Sequence, residues 1–152
     1  MRGVATIGVY GWTLGAFLDA LRSAEVPLLL DVRQRRGVRG SEYSWANSKR
    51  LQAALAGAGI EYEHHPELAP TTGLRHLQYA EDARQGVGKR SRSVLAPEYV
   101  ERYTREILDH AELAQLVARL PAALFCVERD PEACHRSLVA ERMRVPVTHL
   151  RP

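Results

Sequence analysis

Apolar positions fall into short solid runs separated by longer stretches in which they recur every three or four residues. Val4 to Val9 is a β-branched run that reads as a strand, and Thr13 is placed to cap a helix carrying Phe17, Leu18 and Leu21. After Pro27 come Leu28, Leu29 and Leu30, three in a row, as expected of a strand buried on both faces of a parallel sheet. Asn47 is placed to cap a helix with Leu51 and Leu55 on one side, ending at Gly57 or Gly59. Ile60 to His65 alternates apolar and polar and predicts a third strand, closed by Pro66.

Residues 66–97 lose this periodicity and read as an irregular excursion, with a short helix over Leu74 to Ala83. Pro97 opens a helix with Tyr99, Val100, Tyr103, Ile107 and Leu108 on one side, and Leu113, Leu116, Val117 and Leu120 continue the stripe. Ala122 to Val127 is the fourth strand, Cys134 to Met143 a helix, and Val145 to Leu150 a last strand. Strands alternating with helices predict an α/β fold: a single domain over 1–152 with a mainly parallel sheet of about five strands and helices on both faces.

Composition changes this picture little. The chain has 152 residues, enough for a core without metal or disulfide staples, and 21 basic against 18 acidic side chains give a formal +3. That balance permits an anionic small molecule, a nucleotide or nucleic acid as partner and selects none. The uncharged run Val4–Leu18 is broken by Gly8, Gly11 and Gly15 and is too short to span a bilayer, so a cytoplasmic protein with no membrane partner is expected. Its two cysteines are then expected reduced. Oligomeric state is not legible.

Charge and chemistry are concentrated at the carboxyl ends of the predicted strands, where parallel sheets bind ligands. Gly8 follows the first strand, Asp31 and Arg33 the second, His64, His65 and Glu67 the third, and Cys126, Glu128, Cys134, His135 and Arg136 the fourth. Cys126 and Glu128 share a strand face, and the carboxylate opposes ionisation of that thiol. Cys134 instead stands at a helix start beside His135 and Arg136, which favour a thiolate. It is the expected nucleophile, with His135 as base.

Arg33 and Arg136, with Ser137 at the helix start, are expected to hold an anion, while Asp31 and Glu128 orient the arginines or handle protons. Arg136 could equally clamp Asp31, Glu128 or Asp130. His64 and His65 point opposite ways on a strand, so at most one joins the site. No metal and no cofactor is expected: Cys126, Cys134, His135 and one of His64 or His65 are soft donors, but their spacing matches no zinc pattern and adjacent Cys-His pairs rarely chelate one ion. The segment Gly86-Val87-Gly88-Lys89-Arg90 lacks the first glycine of a phosphate-binding loop, Ala83 standing there, and Arg90 occupies the Ser/Thr position. A tyrosine-phosphatase loop also fails, since Glu132 and Ala140 stand where an arginine is required.

The motifs Thr6-Ile7-Gly8 with Gly11 and Thr13, Asp31-Val32-Arg33, Gly59-Ile60-Glu61-Tyr62 leading to Pro66-Glu67-Leu68, and Cys126-x-Glu128-x-Asp130-Pro131-x-x-Cys134-His135-Arg136-Ser137 occur in that order. With them the chain resembles the domain of unknown function 488 family. The resemblance implies one α/β domain of bacterial or archaeal type, with motif positions at Gly8, Asp31, Arg33, His64 or His65, Glu67, Cys126, Glu128, Cys134, His135 and Arg136. Two departures stand out: Val9-Tyr10 where the family often has a polar first loop, and Ala69 where it commonly has glycine.

The expected function is an enzyme that binds an anionic, phosphate-bearing small molecule or nucleotide at the carboxyl edge. The alternative is a nucleic-acid-binding module that uses basic loops 33–39 and 89–92, with Trp12, Tyr43 or Trp45 stacking on bases. A third reading makes Cys126 and Cys134 a redox switch in a partner protein.

Overall fold

A computed structural model describes residues 2–88 and 90–152; Lys89 of the predicted basic loop lies outside the described residues. In chain order the elements are β1 (Val4–Ile7), α1 (Leu14–Ser23), β2 (Leu28–Asp31), α2 (Ser48–Gly57), β3 (Glu61–His64), α3 (Thr72–Gln85), α4 (Pro97–Glu106), α5 (Leu113–Val117), β4 (Ala122–Phe125), α6 (His135–Arg142) and β5 (Val147–His149). All five strands are parallel in the order β3-β2-β4-β1-β5. The fold is the α/β sheet expected, wholly rather than mainly parallel.

Burial follows position in the sheet. β1, β2 and β4 are interior and every residue of them is buried, which is why the Leu28–Leu30 run carries no polar alternation. β3 is an edge and keeps its alternating pattern half exposed. Phe17 of α1 lies 5.5 Å from Phe125 and 4.9 Å from Trp45, so α1 and the Trp45 turn cover the face that Phe125 points to. Its neighbour Cys126 points the other way, toward α6. No helix among the described residues is long and apolar enough to cross a membrane.

Local signals were mostly realised. Thr13 caps α1 through its hydroxyl, which accepts from the Ala16 N–H at 3.2 Å. Asn47 precedes α2 but does not cap it; its Oδ1 accepts from the Val38 N–H at 2.7 Å and pins the arginine-rich loop instead. Within the excursion at 66–97, the short helix expected over Leu74 to Ala83 is present and longer than expected: α3 runs 14 residues between the Thr71 cap and left-handed Gly86. The stripe after Pro97 is interrupted at Ile107 and resumes in the separate helix α5.

The exposed edge carries its own electrostatics. Glu63 accepts from Arg119 at 2.6 Å and from His65 at 2.9 Å; chiefly through the bond from Arg119, its pKa falls to about 2. This stabilisation is present above the ordinary value of 4.5 and is lost as pH falls through about 2. Wild type is therefore expected to lose more stability than Glu63→Gln over that window, read as denaturation midpoints against pH. Equal slopes would show the pair is screened out by solvent.

Candidate active site

Beyond Phe125 the chain stays tied to the end of β1: Cys126 N–H donates to Ile7 O at 3.3 Å, and Val127 O accepts from Val9 and Tyr10. It turns through Asp130, makes one 3-10 turn at Pro131–Ala133, and passes Cys134 in extended conformation before α6 begins at His135. The proline-opened turn brings Cys134 back over Cys126. The Sγ atoms of both and Nδ1 of His135 all lie within 4.8 Å of one another, and all three residues are buried.

The imidazole is oriented from behind. His135 Nε2–H donates to the Val32 carbonyl at 2.8 Å, which leaves Nδ1 facing the sulfurs, 3.8 Å from each. Tyr103, its ring 5.6 Å from the imidazole, covers one side. Burial pushes the Cys126 thiol well up, reinforced by Cys134 and Glu128. Burial opposes ionisation of Cys134 too, but the hydrogen bond from Cys126 and the positive charges of His135 and Arg136 outweigh it and hold this thiol well below its ordinary range. For His135, burial favours the neutral ring, and the facing Cys134 charge more than offsets it, so its pKa rises.

Glu128 stands beside the pair, its Oε2 3.6 Å from Cys126 Sγ. Its other oxygen accepts from Arg92 at 3.1 Å, and Arg92 also grips Asp82 at 2.7 to 3.0 Å and the Ala133 carbonyl at 3.3 Å. Gln78 completes the array, donating to Asp82 at 2.9 Å and accepting from the Ala96 N–H at 2.8 Å.

This constellation forms the floor of a cavity of about 540 Å³. Of the lining residues, Cys126, Glu128, Cys134 and His135 are buried and form the floor, and Tyr10, Gln78, Arg92, Leu95 and Tyr99 are buried along the wall. Arg35, Arg39, Arg75, Tyr79 and Arg90, exposed or half-buried, mark the mouth. Arg90 lies over the rings of Tyr10 and Tyr43, 5.1 Å from each, and pairs with Glu42. Arg75 donates to Gln34 and Tyr79. Among the described residues, Arg35, Arg39 and Arg75 pair with no carboxylate.

Four of the residues expected from sequence therefore meet on the cavity floor, and a fifth, Arg33, also touches the cavity. The anion-holding roles given to Arg33 and Arg136 need correcting. Arg33 is 1% exposed and is occupied by Asp31 in a two-pronged pair and by the Ala46 carbonyl. Arg136 is fully buried outside the cavity lining and donates to the carbonyls of Glu128 and Arg129 at 2.7 and 3.2 Å. It clamps backbone, not the carboxylates of Asp31, Glu128 or Asp130.

Asp31 likewise serves Arg33 and the Tyr62 hydroxyl rather than the cavity. Ser137 bonds back to the Cys134 carbonyl at 2.9 Å. His64 donates to the Arg33 carbonyl at 2.8 Å, and His65 lies between Glu63 and Glu67; none of His64, His65 and Glu67 lines the cavity. Gly8 contacts no ligand space: a Cβ there would fall 2.0 Å from the Glu128 carbonyl oxygen, so it permits close approach of β1 and the loop after β4.

Asp82 and Gln78 carry no role in the sequence reading, and Arg92 enters it only as part of the basic loop 89–92. One signal was available, since Leu74, Gln78, Glu81 and Asp82 recur at helical spacing and continue an apolar stripe with polar side chains that end up buried.

Sheet and site together define a parallel α/β protein with a dithiol-imidazole cluster under an arginine-bearing mouth at the carboxyl edge. The chain belongs to the family described as domain of unknown function DUF488, whose model matches residues 13–143 and so takes in every cluster residue but not Gly8. No curated protein and no solved structure matches it.

Proposed function

We propose that this protein is an enzyme acting on an anionic, phosphate-bearing small molecule or nucleotide bound in the cavity. The observation that carries the reading is the placement of Arg35, Arg39 and Arg75, which have no carboxylate partner among the described residues, around a cavity floored by Cys126, Glu128, Cys134 and His135. The volume suits a nucleotide-sized ligand, and the rings of Tyr10, Tyr79 and Tyr99 offer surface to a base.

Cys134 is the nucleophile of this reading. Its thiol proton passes to His135 Nδ1, the sulfur pair forms a bond to the electrophilic centre, and the bond to the leaving group breaks with its electrons. The same proton then goes to the leaving group. Arg92 holds Glu128 beside the sulfurs, and the mouth arginines bind the phosphate as charge-assisted donors.

Iodoacetamide labelling of the reduced, metal-free protein, located by mass spectrometry, tests the reading. Cys134 should label before Cys126, and a nucleotide should slow the reaction more than its nucleoside does. Arg39→Ala with Arg75→Ala should abolish that difference. If both thiols stay inert until unfolding, the nucleophile role falls.

The nucleic-acid alternative is less favoured. Arg33 and Arg92 of the two basic loops are buried in ion pairs and Arg90 is held by Glu42, so much of their charge is spent internally. Backbone binding would show a steep loss of affinity between low and moderate salt.

A further inference from the structure

We infer that Cys126 Sγ, Cys134 Sγ and His135 Nδ1 form a site for one thiophilic divalent cation, Zn²⁺ above all, whose fourth coordination position opens on the cavity. This goes beyond the enzymatic reading and stands independently of it.

The first argument is distance. A tetrahedral zinc with ordinary Zn–S and Zn–N bonds separates its ligands by about 3.8 Å between sulfurs and about 3.6 Å between sulfur and nitrogen. Each sulfur here lies 3.8 Å from Nδ1, and no pair of the three atoms exceeds 4.8 Å. Closing around an ion needs adjustments of a few tenths of an ångström in the sulfur-nitrogen edges.

The second argument is orientation. Ligating histidines ordinarily donate their other ring N–H to a carbonyl or carboxylate, which fixes the tautomer and aims the lone pair. The Val32 carbonyl does this for His135, accepting from Nε2 at 2.8 Å and leaving Nδ1 turned to the sulfurs.

The third is backbone. Adjacent cysteine and histidine rarely chelate one ion because consecutive side chains diverge. Cys134 is extended (φ −140°, ψ 145°) and His135 is the first residue of α6, and that change of conformation between neighbours brings Sγ and Nδ1 to one point.

Three protein ligands with one open position is the arrangement of reactive rather than structural zinc. Cys126, Cys134 and His135 all line the cavity, so the vacant corner is available to solvent or to a substrate oxygen, with Glu128 beside it. Two thiolates balance the charge of the ion. A bound ion also commits the Cys134 sulfur, so metal-loaded and metal-free protein are two chemically different states of one site.

Cobalt titration of the reduced, metal-free full chain tests this without any assay of activity. One Co²⁺ per chain should give the near-ultraviolet thiolate charge-transfer band and the visible bands of a tetrahedral ion, and one equivalent of Zn²⁺ should remove them. Cys126→Ser and Cys134→Ser, near-isosteric changes checked for folding by circular dichroism, should each weaken binding at least about 100-fold. His110→Ala, on the exposed surface, should change nothing. Absence of the charge-transfer band, or its survival in Cys126→Ser, overturns the inference. Iodoacetamide labelling in parallel separates the two proposals: binding of Co²⁺ with an inert metal-free Cys134 keeps the metal site and removes the nucleophile, and the converse result does the opposite.

Discussion

Arg92→Met is expected to destabilise the protein by about 3–5 kcal/mol, measured as a lowered denaturation midpoint at unchanged slope. Arg92 is 7% exposed and is the cation between two buried carboxylates, Asp82 and Glu128. Methionine fills much of the volume but leaves buried Asp82 without its ion-pair partner, and the cost of a buried unpaired charge exceeds what the intact pair contributes. Some of the loss returns if Asp82 is removed as well, so Asp82→Leu combined with Arg92→Met should be more stable than Arg92→Met alone. A single-variant loss under about 1 kcal/mol would mean that solvent reaches these carboxylates and the wall is not closed.

The second large effect is expected at Asp31 and Arg33. Asp31 is fully buried and accepts from Arg33 Nε and Nη2, each at 2.9 Å, from the Arg33 backbone N–H at 3.1 Å and from the Tyr62 hydroxyl at 2.6 Å. Arg33 in turn lies 4.7 Å over the Phe125 ring and donates to the Ala46 carbonyl. Arg33→Met should cost about 3–5 kcal/mol because buried Asp31 loses its cation and is left with only weaker donors. In Asp31→Leu/Arg33→Met most of that cost should vanish, giving a coupling energy of about 2–3 kcal/mol in a double-mutant cycle. Additive single effects would show that the two side chains contribute separately, by packing.

Both pairs illustrate what sequence patterning can and cannot deliver. Strand-helix alternation, the solid leucine run of β2 and the position of Thr13 led directly to the sheet and its carboxyl edge, because each is a local consequence of chain geometry. Cys126, Glu128, Cys134 and His135 were legible for the same reason: they sit within ten residues on one strand, turn and helix start. Partner choice is not local. Arg136 is next to His135 in sequence, yet its guanidinium finds two carbonyls behind the site, whereas the cation on the cavity wall comes from Arg92, 36 residues before Glu128.

The expectation of no metal rests on a spacing that matches no zinc pattern and on the rarity of chelation by adjacent cysteine and histidine. What spacing does not carry is the change from extended Cys134 to helical His135 that brings their side chains to 3.8 Å, the geometry behind the proposed site. The helix expected over Leu74 to Ala83 is the middle of α3; the polar character of its inward face, with Gln78, Glu81 and Asp82 where a core helix would carry aliphatic residues, is why the pattern at 66–97 reads as irregular around it.

Gly8 follows β1, the strand paired with β4, and its consequence is one of tolerance. A methyl group at that position would collide with the Glu128 carbonyl at 2.0 Å, and the same carbonyl is the acceptor that Arg136 holds at 2.7 Å. The peptide therefore cannot retreat without dragging a buried guanidinium, and rotating it swings the carboxylate of its own residue away from the sulfurs. An alanine at residue 8, the smallest alteration a side chain allows, would be transmitted across the gap as a reorientation of Glu128 rather than absorbed as local crowding.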